Sequence, residues 1–160
     1  MKRRKIFRAG LAVLLGLLLL VVSLMQPVFR VAVAGRTLLA LPLTAPQAFS
    51  IHFIHSVQKT PVEENLVADG RAGEFRLLST RYQSFGVGLP FLASEGTFRE
   101  EGDAYVMDGM NRHFPSISLR TGVGTELRLT TEAGELRLYE LFPPGTRIDL
   151  SIVPGLQIFY

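Results

Sequence analysis

Hydrophobic positions fall along the chain in two regimes. From Ala9 to Phe29 no residue is charged, and LAVLLGLLLLVVSLM within that run is almost wholly aliphatic. Read as a helix, this uncharged run spans about 31 Å, close to the thickness of a bilayer's hydrocarbon core. Beyond Pro27 no stretch keeps a sustained 3.6-residue apolar period. Short alternating or β-rich runs appear instead, punctuated by Gly, Pro, Asp and Asn, which is the pattern of an all-β domain. The runs predict strands over Val28–Ala34, Thr37–Leu43, Phe49–Ser56, Pro61–Ala68, Glu74–Tyr82, Thr97–Glu100, Ala104–Met107, Ser116–Arg120, Thr125–Thr131, Glu135–Leu141 and Arg147–Val153. Gly35, Asp69-Gly70-Arg71-Ala72-Gly73 and Glu132-Ala133-Gly134 supply turns between them, and Pro143-Pro144-Gly145 breaks the chain before the last strand. The expected architecture is all-β: one β-sandwich or partly closed barrel of about ten short strands after a single N-terminal transmembrane helix.

Charge sharpens the topology. Five of the 17 Lys and Arg lie in MKRRKIFR at the start, while all 14 Asp and Glu come later. Basic residues before an apolar span mark its cytoplasmic end. The expected organisation is a cytoplasmic basic tail over 1–8, a transmembrane signal-anchor helix over 9–29, and a periplasmic or extracellular β-domain over 30–160 held at the cell membrane. Without the tail the chain carries 12 basic and 14 acidic residues, a net −2 that gives no electrostatic footprint for a nucleic acid. Ala32-Val33-Ala34 has the small-x-small form of a signal-peptidase site. A cut there would remove part of a predicted strand, so the uncleaved anchor is the expected form. With no cysteine, disulfides, thiol catalysis and thiolate-bound metal are excluded.

Chemistry concentrates in three segments. The first is HSVQKTPVEE, His55 to Glu64. If Val57–Thr60 joins two strands, His55 faces Val62 and Phe53 faces Glu64, placing His55 and Glu64 as diagonal neighbours on the core-facing side. Buried apart they would be costly, so they are expected to pair with each other or with Arg112. A catalytic reading makes them an acid/base pair with Ser56 or Ser84 as nucleophile. Strand alternation argues against it, because neighbouring residues such as His55 and Ser56 point to opposite faces. Glu63 and Glu64 diverge for the same reason, unlike the carboxylate pair of a glycosidase. His52, His55 and His113 have no metal-ligand spacing, and neither a metal nor another cofactor is expected. The second segment, Ser84-Phe85-Gly86-Val87-Gly88-Leu89-Pro90, lacks the Lys-Ser/Thr of a phosphate loop and reads as a packed loop. The third, Asn111-Arg112-His113-Phe114-Pro115, reads as a turn before a strand. The polar cluster of binding or structural interest is therefore His55, Ser56, Thr60, Glu64, Ser84, Asn111 and Arg112, with no catalytic assignment.

Taken together, FIHSVQKTPVEE (Phe53 to Glu64), SFGVGLP (Ser84 to Pro90) and NRHFPSISLR (Asn111 to Arg120) resemble the bacterial domain-of-unknown-function family 1850. These are small membrane-anchored proteins often encoded beside TRAP transporters of the TAXI type. The resemblance implies a location and a partner rather than a reaction: a non-enzymatic accessory protein touching the TAXI-type TRAP permease or its substrate-binding protein. The alternatives are an extracytoplasmic hydrolase using His55 and Glu64 with a serine, and a module binding a small carboxylate through Arg112 and the Ser84–Pro90 loop.

Overall fold

The computed structural model describes residues 2–84, 90 and 92–159; before Gly10, and at Phe159, it describes the backbone alone. Helix α1 (Lys2–Met25) opens the chain. It stops short of Pro27, which has no N–H to give a helix and disfavours helical backbone in the residue before it. From Leu11 to Met25 every described side chain except half-buried Leu24 is exposed, Leu14 by 64% and Val13 by 63%. Among the described residues no helix is long and apolar enough to cross a membrane.

Among the described residues twelve strands follow. They are β1 (Pro27–Val33), β2 (Arg36–Pro42), β3 (Gln47–Ile54), β4 (Pro61–Asp69), β5 (Glu74–Tyr82) and β6 (Thr97–Glu101). The rest are β7 (Ala104–Asp108), β8 (Arg112–Phe114), β9 (Ser116–Arg120), β10 (Arg128–Thr131), β11 (Gly134–Arg137) and β12 (Arg147–Pro154). A four-residue helix, α2 (Leu138–Leu141), and a closing 3-10 turn, Gly155–Phe159, complete the chain.

The strands form two open antiparallel sheets. The smaller runs β2-β1-β12-β9 and the larger β11-β10-β3-β4-β5-β7-β6, with β8 added against β5. The chain passes from the larger sheet to the smaller at Pro115, between β8 and β9. The sheets pack as a sandwich over one core. Phe29, Val31, Ile148 and Leu150 from the small sheet meet Phe49, Ile51, Leu66, Phe75 and Leu129 from the large one. Rings of Phe29, Phe49 and Phe75 lie 4.9, 5.3 and 5.6 Å apart, centroid to centroid, in tilted and edge-on arrangements. This aromatic triad seals the end of the sandwich that adjoins α1. There the Gly155 N–H donates to the Gln26 carbonyl at 2.9 Å, which ties the C-terminal turn to the foot of the helix.

Alternation explains the large sheet. Val62, Leu66 and Ala68 of β4 face inward with Phe49, Ile51 and Phe53 of β3, and Glu64 shares their face. On the outer side Ser50 donates to Asn65 Oδ1 at 2.7 Å, and Asn65 donates to Ser79 at 3.2 Å, so that side stays polar across three strands. A register shift between Asn65 and Leu66 leaves Leu78 of β5 unpaired with β4. The extra residue resets the alternation, so Phe75 and Leu77 on one side of it and Thr80 and Tyr82 on the other all point inward.

Several sequence expectations are corrected here. Pro27–Phe29 belong to β1 rather than to the end of the helix, so the β-domain starts before residue 30. Strand β3 ends at Ile54, leaving His55 and Ser56 in a loop. Strand β10 begins at Arg128, not Thr125, because Glu126 takes a positive φ of 45° that no strand accommodates. Leu138–Leu141 turn into α2, burying Leu138 where a longer strand was expected. Arg112–Phe114, read as a turn, pair with β5 as β8.

Candidate functional site

The end of the sandwich remote from α1 is open. A cleft of about 410 Å³ lies between the inner face of the β3–β4 hairpin and the free edge of β9. Ile51, Phe53, Leu119 and Leu127 supply apolar walls, while His55, Ser56, Glu64, Arg120 and Thr125 supply polar atoms. Among the described residues strand β9 pairs only with β12, so its other edge faces the opening.

Glu64 sits in the middle of the large sheet's inner face. Its direct cross-strand neighbours are Ile51 on β3 and Thr80 on β5, and Thr80 faces Met107 on β7. Thr80 is fully buried, and its hydroxyl donates to Met110 Sδ at 3.6 Å rather than to the carboxylate. Among the described residues Glu64 takes part in no hydrogen bond or ion pair. Burial pushes its pKa above the ordinary carboxylate value, and the field of Arg112 only partly opposes that. Arg112 itself is exposed on β8, 3.9 Å from Glu95 and 5.9 Å above the Phe114 ring. It therefore reaches Glu64 through its field and not through contact.

His55 does something other than pair with Glu64. The loop from His55 to Thr60 is closed by the His55 N–H donating to the Thr60 carbonyl and the Lys59 N–H donating to the His55 carbonyl, both at 2.9 Å. The ring completes the closure: Nδ1 accepts the N–H groups of Val57 at 3.3 Å and Gln58 at 3.2 Å. With Nδ1 as acceptor, the ring proton is assigned to Nε2. Lys59 holds the turn with a φ of 57°. The pairing is Phe53 with Val62 and Ile51 with Glu64, two residues from the expected register, so the His55–Glu64 diagonal does not form. Both residues nevertheless line the same cleft.

The other members of the predicted cluster are spread out. Ser56 is exposed at the cleft mouth, and Thr60 Oγ1 is buried without a hydrogen-bond partner. Ser84 donates to the Gln58 side chain at 3.3 Å, which links the start of the second segment to the His55 loop. Residues 85–89 of that segment, and Phe91 after it, lie outside the described residues; the Pro90 carbonyl accepts the Tyr82 hydroxyl at 2.5 Å. Asn111 Oδ1 accepts from His113 Nε2 at 3.1 Å, and His113 Nδ1 lies 2.7 Å from Glu74 Oε1, on an exposed part of β8. No hydroxyl among the described residues is hydrogen-bonded to the His55 ring. Nor do three histidine or carboxylate side chains gather as metal ligands among them. Leu119, Arg120, Thr125 and Leu127 complete the cleft without any sequence signal, since they reach it only through the packing of the two sheets.

A smaller depression of about 140 Å³ involves His52, Glu63, Arg81 and Arg128. Each of its charges has an ion-pair partner: His52 lies 3.8 Å from Glu63, Arg81 lies 2.6 Å from Glu101 and Arg128 lies 3.8 Å from Glu135, while Arg128 Nε is buried without a hydrogen-bond partner. In the cleft around Glu64, by contrast, the carboxylate has no hydrogen-bond or ion-pair partner among the described residues.

The family model for the domain of unknown function DUF1850 matches residues 49–138, more than half of the chain. The chain belongs to this family. The DUF1850 match runs from β3 to the first residue of α2 and so includes Glu64, the His55 loop and β9. No curated protein and no solved structure matches the chain.

Proposed function

We propose that this DUF1850 protein is a non-enzymatic binding domain anchored at the outer surface of the cell membrane, where it serves as an accessory of a TAXI-type TRAP transporter. The observation that carries the reading is the joint between helix and domain. Helix α1 ends at Met25 and β1 begins at Pro27, so Gln26 alone separates an uncharged apolar run from a strand of the core. A domain joined so closely to an apolar helix works beside a membrane, and the basic residues in the first turns of the helix favour a cytoplasmic N-terminus. The transporter partnership comes from the resemblance to the family.

The test is co-purification of the full chain from membranes after mild crosslinking. Enrichment of the TAXI-type permease or its substrate-binding protein is expected. Recovery of neither component, with the anchor intact, removes the accessory role.

A further inference from the structure

We propose that the cleft around Glu64 binds an organic cation: a primary ammonium group on an apolar stem, with the Glu64 carboxylate as its counter-ion. The site stands on geometry. An opening of about 410 Å³ is large enough for a small ligand, and five of its eleven lining residues are apolar. One carboxylate lies among them, with no hydrogen bond or ion pair of its own among the described residues. Its flanking neighbours cannot supply one, because Ile51 is apolar and the Thr80 hydroxyl is turned to Met110.

A half-buried carboxylate without a partner is partly desolvated at a cost, which a ligand of opposite charge seated in the cleft would offset. The chain's own cations do not. Arg112 is drawn to Glu95 and the Phe114 ring, and Arg120 at the cleft donates to the Gly145 carbonyl at 3.1 Å. Both guanidinium groups belong to exposed residues, so solvent and salt screen them more than they screen the half-buried carboxylate. The His55 ring spends its acceptor nitrogen on the loop and leaves only a donor, so it does not compete for an ammonium group. An anionic ligand head would meet Glu64 as a like charge. A neutral apolar ligand would bury the carboxylate further and gain nothing from it. An ammonium group brings three donors and the opposite charge, and its stem covers Phe53 and Leu119.

This site does not depend on the transporter partnership, since binding is measured on the protein alone. The full chain in detergent micelles is titrated with n-pentylammonium by calorimetry and by heteronuclear NMR, with pentanoate and n-pentanol as probes of similar shape. Saturable binding of n-pentylammonium is expected, with shifts confined to the β3–β4 hairpin and β9, and none for pentanoate. Affinity should fall as pH is lowered and Glu64 takes up a proton. Glu64→Gln keeps the side-chain shape and should weaken binding about tenfold or more, the worth of one charge-assisted contact. Leu119→Trp, which fills the cleft from β9 and leaves Glu64 in place, should also abolish it. Equal binding of pentanoate, or unchanged affinity in folded Glu64→Gln, overturns the proposal.

Discussion

At the scale of single residues the molecule carries one conspicuous cost. Glu64 has a folded pKa above its ordinary value near 4.5, because burial disfavours the charged form. Between the unfolded and folded values the native state keeps a proton that the unfolded chain has lost. Stability therefore falls as pH rises through that window, and the cost is complete above it. Asp149 runs the other way. Hydrogen bonds from Ser118 and Arg147 lower its pKa, so its contribution is present above the ordinary value and is lost as pH falls. Glu64→Gln isolates the first effect. The variant should be more stable than the parent by about 1 kcal/mol at pH 7, and the difference should close below the ordinary carboxylate range. Denaturant titrations of both proteins from pH 4 to pH 8 measure it; a variant less stable at pH 7 would show that the carboxylate holds the fold together. The inward placement of Glu64 was legible in the sequence, since Val62, Glu64, Leu66 and Ala68 alternate. Its isolation was not, because that depends on where Thr80, Met110 and Arg112 arrive from strands distant in sequence.

At the scale of elements, most strands follow directly from alternation, and the β3–β4 register shows where alternation stops being informative. A loop of four residues would set Phe53 opposite Glu64, whereas the six residues from His55 to Thr60 set it opposite Val62. The two registers differ by two residues, so each buries the same faces, and hydrophobic pattern cannot choose between them. The choice is made by the His55 ring, which takes two loop amides and so draws its own residue out of the strand. Strand β8 was hidden for a similar reason: its partner positions on β5 are set by the unpaired Leu78, a feature of pairing and not of composition. Hairpin β6–β7 gives a sharper constraint than sequence indicates. A Cβ on Gly96 would collide with the Asp108 carbonyl, a backbone atom at the end of the β6–β7 ladder that cannot swing aside. Gly96→Ala should cost about 1–3 kcal/mol, in the range of other overpacked sites. Gly73→Ala is a poor control, because its φ of 70° strains any side chain. Gly16→Ala is a better one, since nothing lies within 4 Å of its Cβ and its φ is not positive. Thermal melts of the two variants should therefore separate, with Gly96→Ala lower; equal melts would mean that β6 shifts freely.

At the scale of the whole molecule the two ends of the sandwich differ in kind. The end beside α1 is closed by the Phe29–Phe49–Phe75 triad and by the C-terminal turn, and the far end holds the cleft. Strand β1 connects them, lying between β2 and β12 with Phe29 and Val31 almost wholly buried. Its seven residues, spanning about 23 Å at strand rise, run from the helix junction toward the open end. This placement gives the Ala32-Val33-Ala34 sequence a mechanical consequence. A chain cut after Ala34 would lose an interior strand, the ladders on both its sides and two of the largest core contacts. Each buried side chain of that size contributes about 1.5–3 kcal/mol, and a domain of this kind has only about 5–15 kcal/mol in total. A chain beginning at Gly35 should therefore be unfolded, while one beginning at Gln26 keeps β1 and the bond to Gly155 and should fold as a soluble domain. Circular dichroism of the two truncated chains gives that comparison, and the intact mass of the protein taken from membranes gives the natural start. The proposed anchor requires a mature chain that still contains α1; a folded mature protein starting at Gly35 would remove both the anchor and the structural role given to β1.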